Sequence, residues 1–133
     1  MIPRDTFYRL AHSPKDYSAC RALLREQGED ARLSFPTVVA ERAGRIIGFC
    51  ATQPRKDAVV AGPLAVAKDI PHPGITIIRL GEAYENVLKA AGIKVYWFHV
   101  EPHMKEWADI LRRVGFEPMQ QDDTGGWFRR AIA

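Results

Sequence analysis

"VAKDIPHPGITIIRLG", residues 66–81, leads from the end of one apolar run into the start of another through a loop bracketed by prolines. Ile77, Leu80, Tyr84, Val87, Leu88 and Ala91 recur at 3-4-3 spacing until Gly92, which predicts a long amphipathic helix with a glycine stop. A helix N-terminus offers unpaired N–H groups and positive dipole density, so a strand-to-helix junction of this kind is a natural place to hold a phosphate. The reading of the whole chain turns on whether this one does.

Working upstream, Ala58 to Val66 reads as a buried strand interrupted by Gly62-Pro63. A bulge there explains both residues and would break the strand's pairing. Thr37 to Arg42 and Arg45 to Thr52 are β-rich runs joined at Ala43-Gly44, a hairpin turn. Phe7 to Leu10 is a short strand. Ser13 then caps a helix over 14–27 with Pro14 in its first position and Asp16 three residues after the cap, and Tyr17, Cys20, Leu23 and Leu24 form its apolar face. A second short helix is expected within "GEDARLSFP", residues 28–36. Downstream, "KVYWFHV" (94–100) is a strand, and Met104, Trp107, Ala108, Ile110, Leu111 and Val114 make a helical face closed by Gly115. Two last strands, Phe116 to Gln121 and Trp127 to Ile132, flank the turn "DDTGG". There is no internal repeat, and the order is β-α-(α)-β-β-β-α-β-α-β-β.

The 133 residues fit one domain, 1–133. With 47% hydrophobic and 26% charged residues, the composition is that of a globular protein and excludes a disordered or fibrous one. The net charge of +3 mildly favours an anionic partner, but the 19 Lys and Arg are scattered singly or in pairs such as Arg112-Arg113 and Arg129-Arg130, so a nucleic-acid interface is not expected. Trp97, Phe98, Trp107, Trp127 and Phe128 read as packing residues, since a base-stacking platform needs basic residues interleaved with its aromatics. Cys20 and Cys50 lie in apolar stretches without metal-knuckle spacing and read as buried free thiols. No apolar run approaches the ~18 residues of a membrane span, and "MIPRDTFYRL" lacks the apolar core of a secretory signal. The expectation is a cytoplasmic protein with no membrane partner.

The element order, with the ending "EWADILRRVGFEP" (106–118), resembles the GCN5-related N-acetyltransferase (GNAT) family over nearly the whole chain, from Phe7 to Ile132. The resemblance implies an α/β (α+β) fold whose mixed central sheet, flanked by helices, splays between strands 4 and 5, with acetyl-CoA in the gap. On that implication the pantetheine arm pairs with Leu64, Ala65 and Val66, and the pyrophosphate sits on the loop from Pro71 to Thr76, at His72, Gly74, Ile75 and Thr76. The family's loop reads Arg or Gln, Gly, any residue, Gly, any residue, Gly or Ala. Those places fall here on Pro71, His72, Pro73, Gly74, Ile75 and Thr76, and only Gly74 matches. Pro71 and Pro73 have no N–H to donate, and Thr76 carries bulk where close approach of a phosphate needs almost none. His72 or Thr76 can supply a side-chain bond instead. Two readings of the loop stay open: a working phosphate cradle, or a rigid entry turn.

Acetylation of an amine needs a base for the ammonium, a polarised thioester carbonyl and often an acid for the departing thiolate. The family's acid, a Tyr four residues before the Gly of Gly-Phe, is replaced by Leu111, and its Asn near the start of that helix by Met104 and Lys105. Tyr96 and Tyr84 are the substitutes on offer, Tyr84 also fitting the apolar stripe. Candidate bases are His99, whose intrinsic pKa suits neutral pH, and Glu41 and Glu101, which burial would have to raise. His99, Glu101 and His103 alternate in "HVEPH", but Pro102 interrupts the strand that would align them, and no metal is expected. Three functions remain: acetyl transfer to a small-molecule or protein amine; a non-catalytic module that binds a protein partner or joins a larger assembly such as a viral particle; and a binder of another acyl-CoA or small ligand. Acceptor contacts in such folds come from the first helices and loops, here residues 14–36.

Overall fold

The computed structural model describes residues 5–132. Its elements run β1 (Thr6–Leu10), α1 (Pro14–Glu26), β2 (Ser34–Arg42), β3 (Arg45–Gln53), β4 (Val60–Val66), α2 (Pro73–Ala90), β5 (Val95–Val100), α3 (Lys105–Arg113), β6 (Glu117–Asp122) and β7 (Gly125–Ala131). The second short helix expected within residues 28–36 does not form. Gly28, at φ 76°, ends α1, residues 29–33 run as coil, and Ser34-Phe35-Pro36 already belongs to β2. Proline inside a strand requires a break in the ladder, and the β2–β3 register shifts between Ser34 and Val38. Thr37 Oγ1 donates to Ser34 C=O at 2.8 Å and Thr52 Oγ1 to Pro36 C=O at 2.7 Å, which tie the irregular stretch down.

The seven strands form one mixed sheet in the order β1-β2-β3-β4-β5-β7-β6, antiparallel except for the parallel pair β4–β5. The β2–β3 hairpin turns through Ala43 and Gly44, both at positive φ (52° and 78°), the requirement of a turn that matches strand twist. Consecutive residues Thr37–Ala40 and Ile47–Thr52 are buried. Because side chains alternate along a strand, this means that both faces of the central strands are covered. α1 and α2 both pack on β3 and β4 and supply those covers, while α3 packs on β5 and β6. On α2, Thr76, Leu80, Tyr84 and Leu88 form one buried line at i, i+4 spacing. Burial of such side chains is worth about 1.5–3 kcal/mol each. Cys20 and Cys50 are buried free thiols. Among the described residues no helix is long and apolar enough to cross a membrane.

One irregularity positions everything that follows. β4 meets β5 only at Val60↔Trp97 and Ala61↔Phe98. On its other side β4 pairs with β3 at Thr52↔Ala61 and again at Cys50↔Leu64, so β4 carries one residue more than β3 across this interval. That residue is accommodated at Gly62-Pro63, with Gly62 at φ 116°, the bulge that the sequence suggests. Past the bulge β4 stays with β3 and abandons β5, and the sheet splays between its fourth and fifth strands.

Candidate functional site

The splay leaves a length of strand with unused backbone. Ala67 N–H donates to Ile47 C=O at 2.8 Å, which sets the phase of the antiparallel ladder. Ala65 therefore turns its N–H and C=O toward Phe49 on β3, and Leu64 and Val66 turn theirs toward the gap. Of the three strand residues expected to pair with a cofactor, Leu64 and Val66 have the free edge. Ala65 does not, a distinction of ladder phase that local sequence does not carry. Val66 C=O already accepts Gln27 Nε2 at 3.1 Å.

Two hollows open on either side of this gap, and Ala61 and Phe98 wall both. The first, of about 160 Å³, lies between α2 and α3 and is largely apolar, with Leu64, Ile77, Trp107, Leu111 and Val114 among its walls. Phe98 stacks on Trp107 there, ring centroids 6.1 Å apart. Ile78 and Val114 stand at its walls yet remain 49% and 39% exposed, apolar surface that a ligand would cover. Its polar corner is a closed network: the Arg130 guanidinium pairs with Glu85 and donates to Val114 C=O, and Tyr96 Oη donates to Glu85 at 2.7 Å. Burial and the Glu85 charge raise the Tyr96 pKa above the usual tyrosine value, and burial does the same for Tyr84, whose hydroxyl is 2.6 Å from Thr52 Oγ1. Both candidate acids are thus engaged and poorly disposed to give up a proton.

The second hollow is an open cleft of about 770 Å³ lined by Glu29, Asp30, Arg32, Arg55, His99 and Glu101. His99 lies on the part of β5 that has left β4, opposite Trp127 of β7, with their ring centroids 4.7 Å apart. Glu101 follows the strand and approaches His103 at 3.5 Å. These two candidate bases come together, and coil 29–33 contributes residues from within the stretch expected to contact an acceptor. Glu41 does not join them. It lines neither hollow and accepts from Arg9 Nε at 2.9 Å. Arg9 also grips Asp16, at 2.8 and 3.0 Å, and holds that carboxyl well below the usual carboxylate range. Glu41 is thereby a structural partner; its role depends on residues 32 and 25 positions away, beyond the reach of local pattern. Among the described residues no three His, Cys, Asp or Glu side chains converge as metal ligands.

The loop before α2 is built as its prolines dictate. His72 is the N-cap, in the left-handed region at φ 53°, and makes no side-chain capping bond. Its C=O accepts Ile75 N–H at 3.1 Å, so the Ile75 amide is spent within the turn. Thr76 is buried in line with Leu80 and Tyr84 and also borders a surface cleft at this helix end. Gly74 faces open space, with no atom within 4 Å of where a Cβ would stand. Arg42 and Arg79 line that cleft together with His72, Thr76 and the carboxylate Asp5. Sequence pattern missed both arginines, since β2 and α2 are brought together only by the tertiary fold.

No family model and no curated protein sequence matches the chain. Solved structures do. PaiA N-acetyltransferase from Thermoplasma acidophilum in complex with coenzyme A superposes with a TM-score of 0.78 at 14% identity, over 96% of this chain and 99% of that one. The ribosomal-protein-S18-alanine N-acetyltransferase of Escherichia coli gives 0.74 at 14%, over 97% and 95%. A GNAT-family N-acetyltransferase from Escherichia coli in complex with CoA gives 0.69 at 20%, over 98% and 83%. At these identities the likeness establishes architecture, and with the splay at β4–β5 it shows that the chain has the fold of the GCN5-related N-acetyltransferases.

Proposed function

We propose that the protein is an acetyl-CoA-dependent N-acetyltransferase acting on an amine acceptor. The observation that carries this reading is the pair of hollows that share Ala61 and Phe98 as a common wall at the point where β4 leaves β5. A donor held on one side and an acceptor on the other would meet through the gap. Acetyl-CoA supplies the activated acyl group. The chain's residues fit it: Leu64 and the Val66 N–H offer free strand backbone, the apolar hollow between α2 and α3 offers a dry channel, and the open first turn of α2 at Gly74, with Arg42, His72 and Arg79 in a neighbouring cleft, offers an anion site. Pro71 and Pro73 make this anion site leaner in amides than the family's, and side-chain cations take over part of the charge.

On the acceptor side, His99 and Glu101 flank the gap and are the groups placed to take a proton from the incoming ammonium. His99 supplies the imidazole, the commonest general base near neutral pH. We assign no acid: Leu111 has no proton to give, and Tyr84 and Tyr96 are committed to Thr52 and Glu85. A descendant kept only as a scaffold or partner-binding module has no need of an open splay, and this one is open on both sides. Calorimetric titration with acetyl-CoA, and with desulfo-CoA as a non-transferring control, tests the reading. Micromolar binding of both, about −8 kcal/mol, is expected; no binding at millimolar ligand would overturn it and redirect the search to protein partners.

A further inference from the structure

The acceptor cleft contains a guanidinium set over an aromatic ring. Arg55 lies over the Trp127 ring, its Cζ 5.2 Å from the centroid, and Trp127 in turn packs against His99. Glu29, Asp30 and Glu101 line the same cleft, yet among the described residues Arg55 pairs with none of them. A guanidinium held over an aromatic face keeps its N–H groups available to other partners, and its fork matches a carboxylate in two-pronged fashion. The carboxylates of the same cleft suit an ammonium: Glu29 and Asp30 make no ion pair among the described residues, and Glu101 approaches only His103. A cleft that holds separate, uncancelled charges of both signs is complementary to a molecule that carries both.

We infer that the acceptor is a primary amine that also bears a carboxylate, an amino acid or short peptide, with Arg55 receiving the carboxylate and the amine delivered toward His99 and Glu101. This rests on the acyl-transfer reading of the same site and narrows its substrate class. Arg55 is then a specificity residue, and Trp127, which supports it from below, a positioning residue.

The test pairs each amino acid with its decarboxylated counterpart, L-lysine with cadaverine and L-leucine with isoamylamine. Binding to the full chain is followed by ligand-observed NMR in the presence of desulfo-CoA, and thiol release from acetyl-CoA is followed in parallel. The amino acids are expected to bind at least tenfold more tightly than the bare amines. Arg55→Ala is expected to erase that preference, Arg55→Lys to restore part of it, and neither to change affinity for CoA, because Arg55 stands outside the α2–α3 hollow. Equal or tighter binding of the bare amines, or an Arg55→Ala variant that keeps the preference, would overturn the inference. Failure of the wild-type chain to bind any of the four while it binds CoA would overturn it as well. Failure to bind CoA would count instead against the acyl-transfer reading, so the two failures are told apart.

Discussion

Gly74 is the residue on which the loop's function and its architecture can be separated. Space beside it is open and it sits in the first turn of α2, so Gly74→Ala should leave the fold intact and raise stability by about 0.5 kcal/mol through helix propensity. The added methyl occupies the approach to the anion site, so CoA affinity should fall at least tenfold by calorimetry; unchanged affinity would mean that the loop is only an entry turn. Asp16 makes the opposite case, a carboxylate whose work is stability. It is 6% exposed, accepts two bonds from Arg9 and one from the His12 N–H, and lies on no cavity assigned to function. Its pKa is depressed in the folded state, chiefly by the hydrogen bonds from Arg9. The stability it contributes is therefore present at neutral pH and is lost as pH falls below about 4 toward the folded value. Asp16→Asn should cost about 2 kcal/mol at pH 7, a partly buried ion pair broken from one side, and should flatten the acid limb of a stability–pH curve. The ordinary cap role of Asp16 was visible from "SPKD". Its partnership with Arg9 and Glu41 was not, because a strand and a hairpin must assemble before the three charges meet.

At the scale of elements, the strands and helices with strong local signals were legible: the α2 stripe, the Ala43-Gly44 hairpin and the Gly62-Pro63 bulge all stand where the sequence puts them. The misread element was residues 28–36, where Leu33, Phe35 and Pro36 gave no periodicity to arbitrate between helix and strand and pairing with β3 decided the outcome. The end of α3 shows how a legible signal conceals a tertiary duty. Gly115 reads as a helix stop, and at φ 100° it is one. A Cβ there would also overlap the Arg130 guanidinium, whose bonds to Val114 C=O and Glu85 tie α3, β7 and α2 together. Gly115→Ala should accordingly cost more than the ~1 kcal/mol of an αL glycine alone, about 2–3 kcal/mol in denaturant unfolding. A loss of 1 kcal/mol or less would show that Arg130 yields without consequence.

For the molecule as a whole, seven strands from both halves of the chain build a sheet whose splay between β4 and β5 is where we place the chemistry. The splay's location followed from element order. The groups around it followed less well: Arg42, Arg55, Arg79 and Trp127 come from four separate elements or loops, and only the folded sheet brings Arg42 to the start of α2 and Arg55 to Trp127. The alternation of β4 likewise emerges only from its ladder with β3, and it supplies the most direct test of the account. Amide hydrogen exchange at Leu64, Ala65 and Val66, measured with and without CoA, distinguishes the strand's two edges. Ala65 should be protected in both conditions, and Leu64 and Val66 should exchange fast in the free protein and slow at least tenfold when CoA fills the gap. Exchange at Leu64 and Val66 that stays unchanged under saturating CoA would contradict a cofactor seated in the splay.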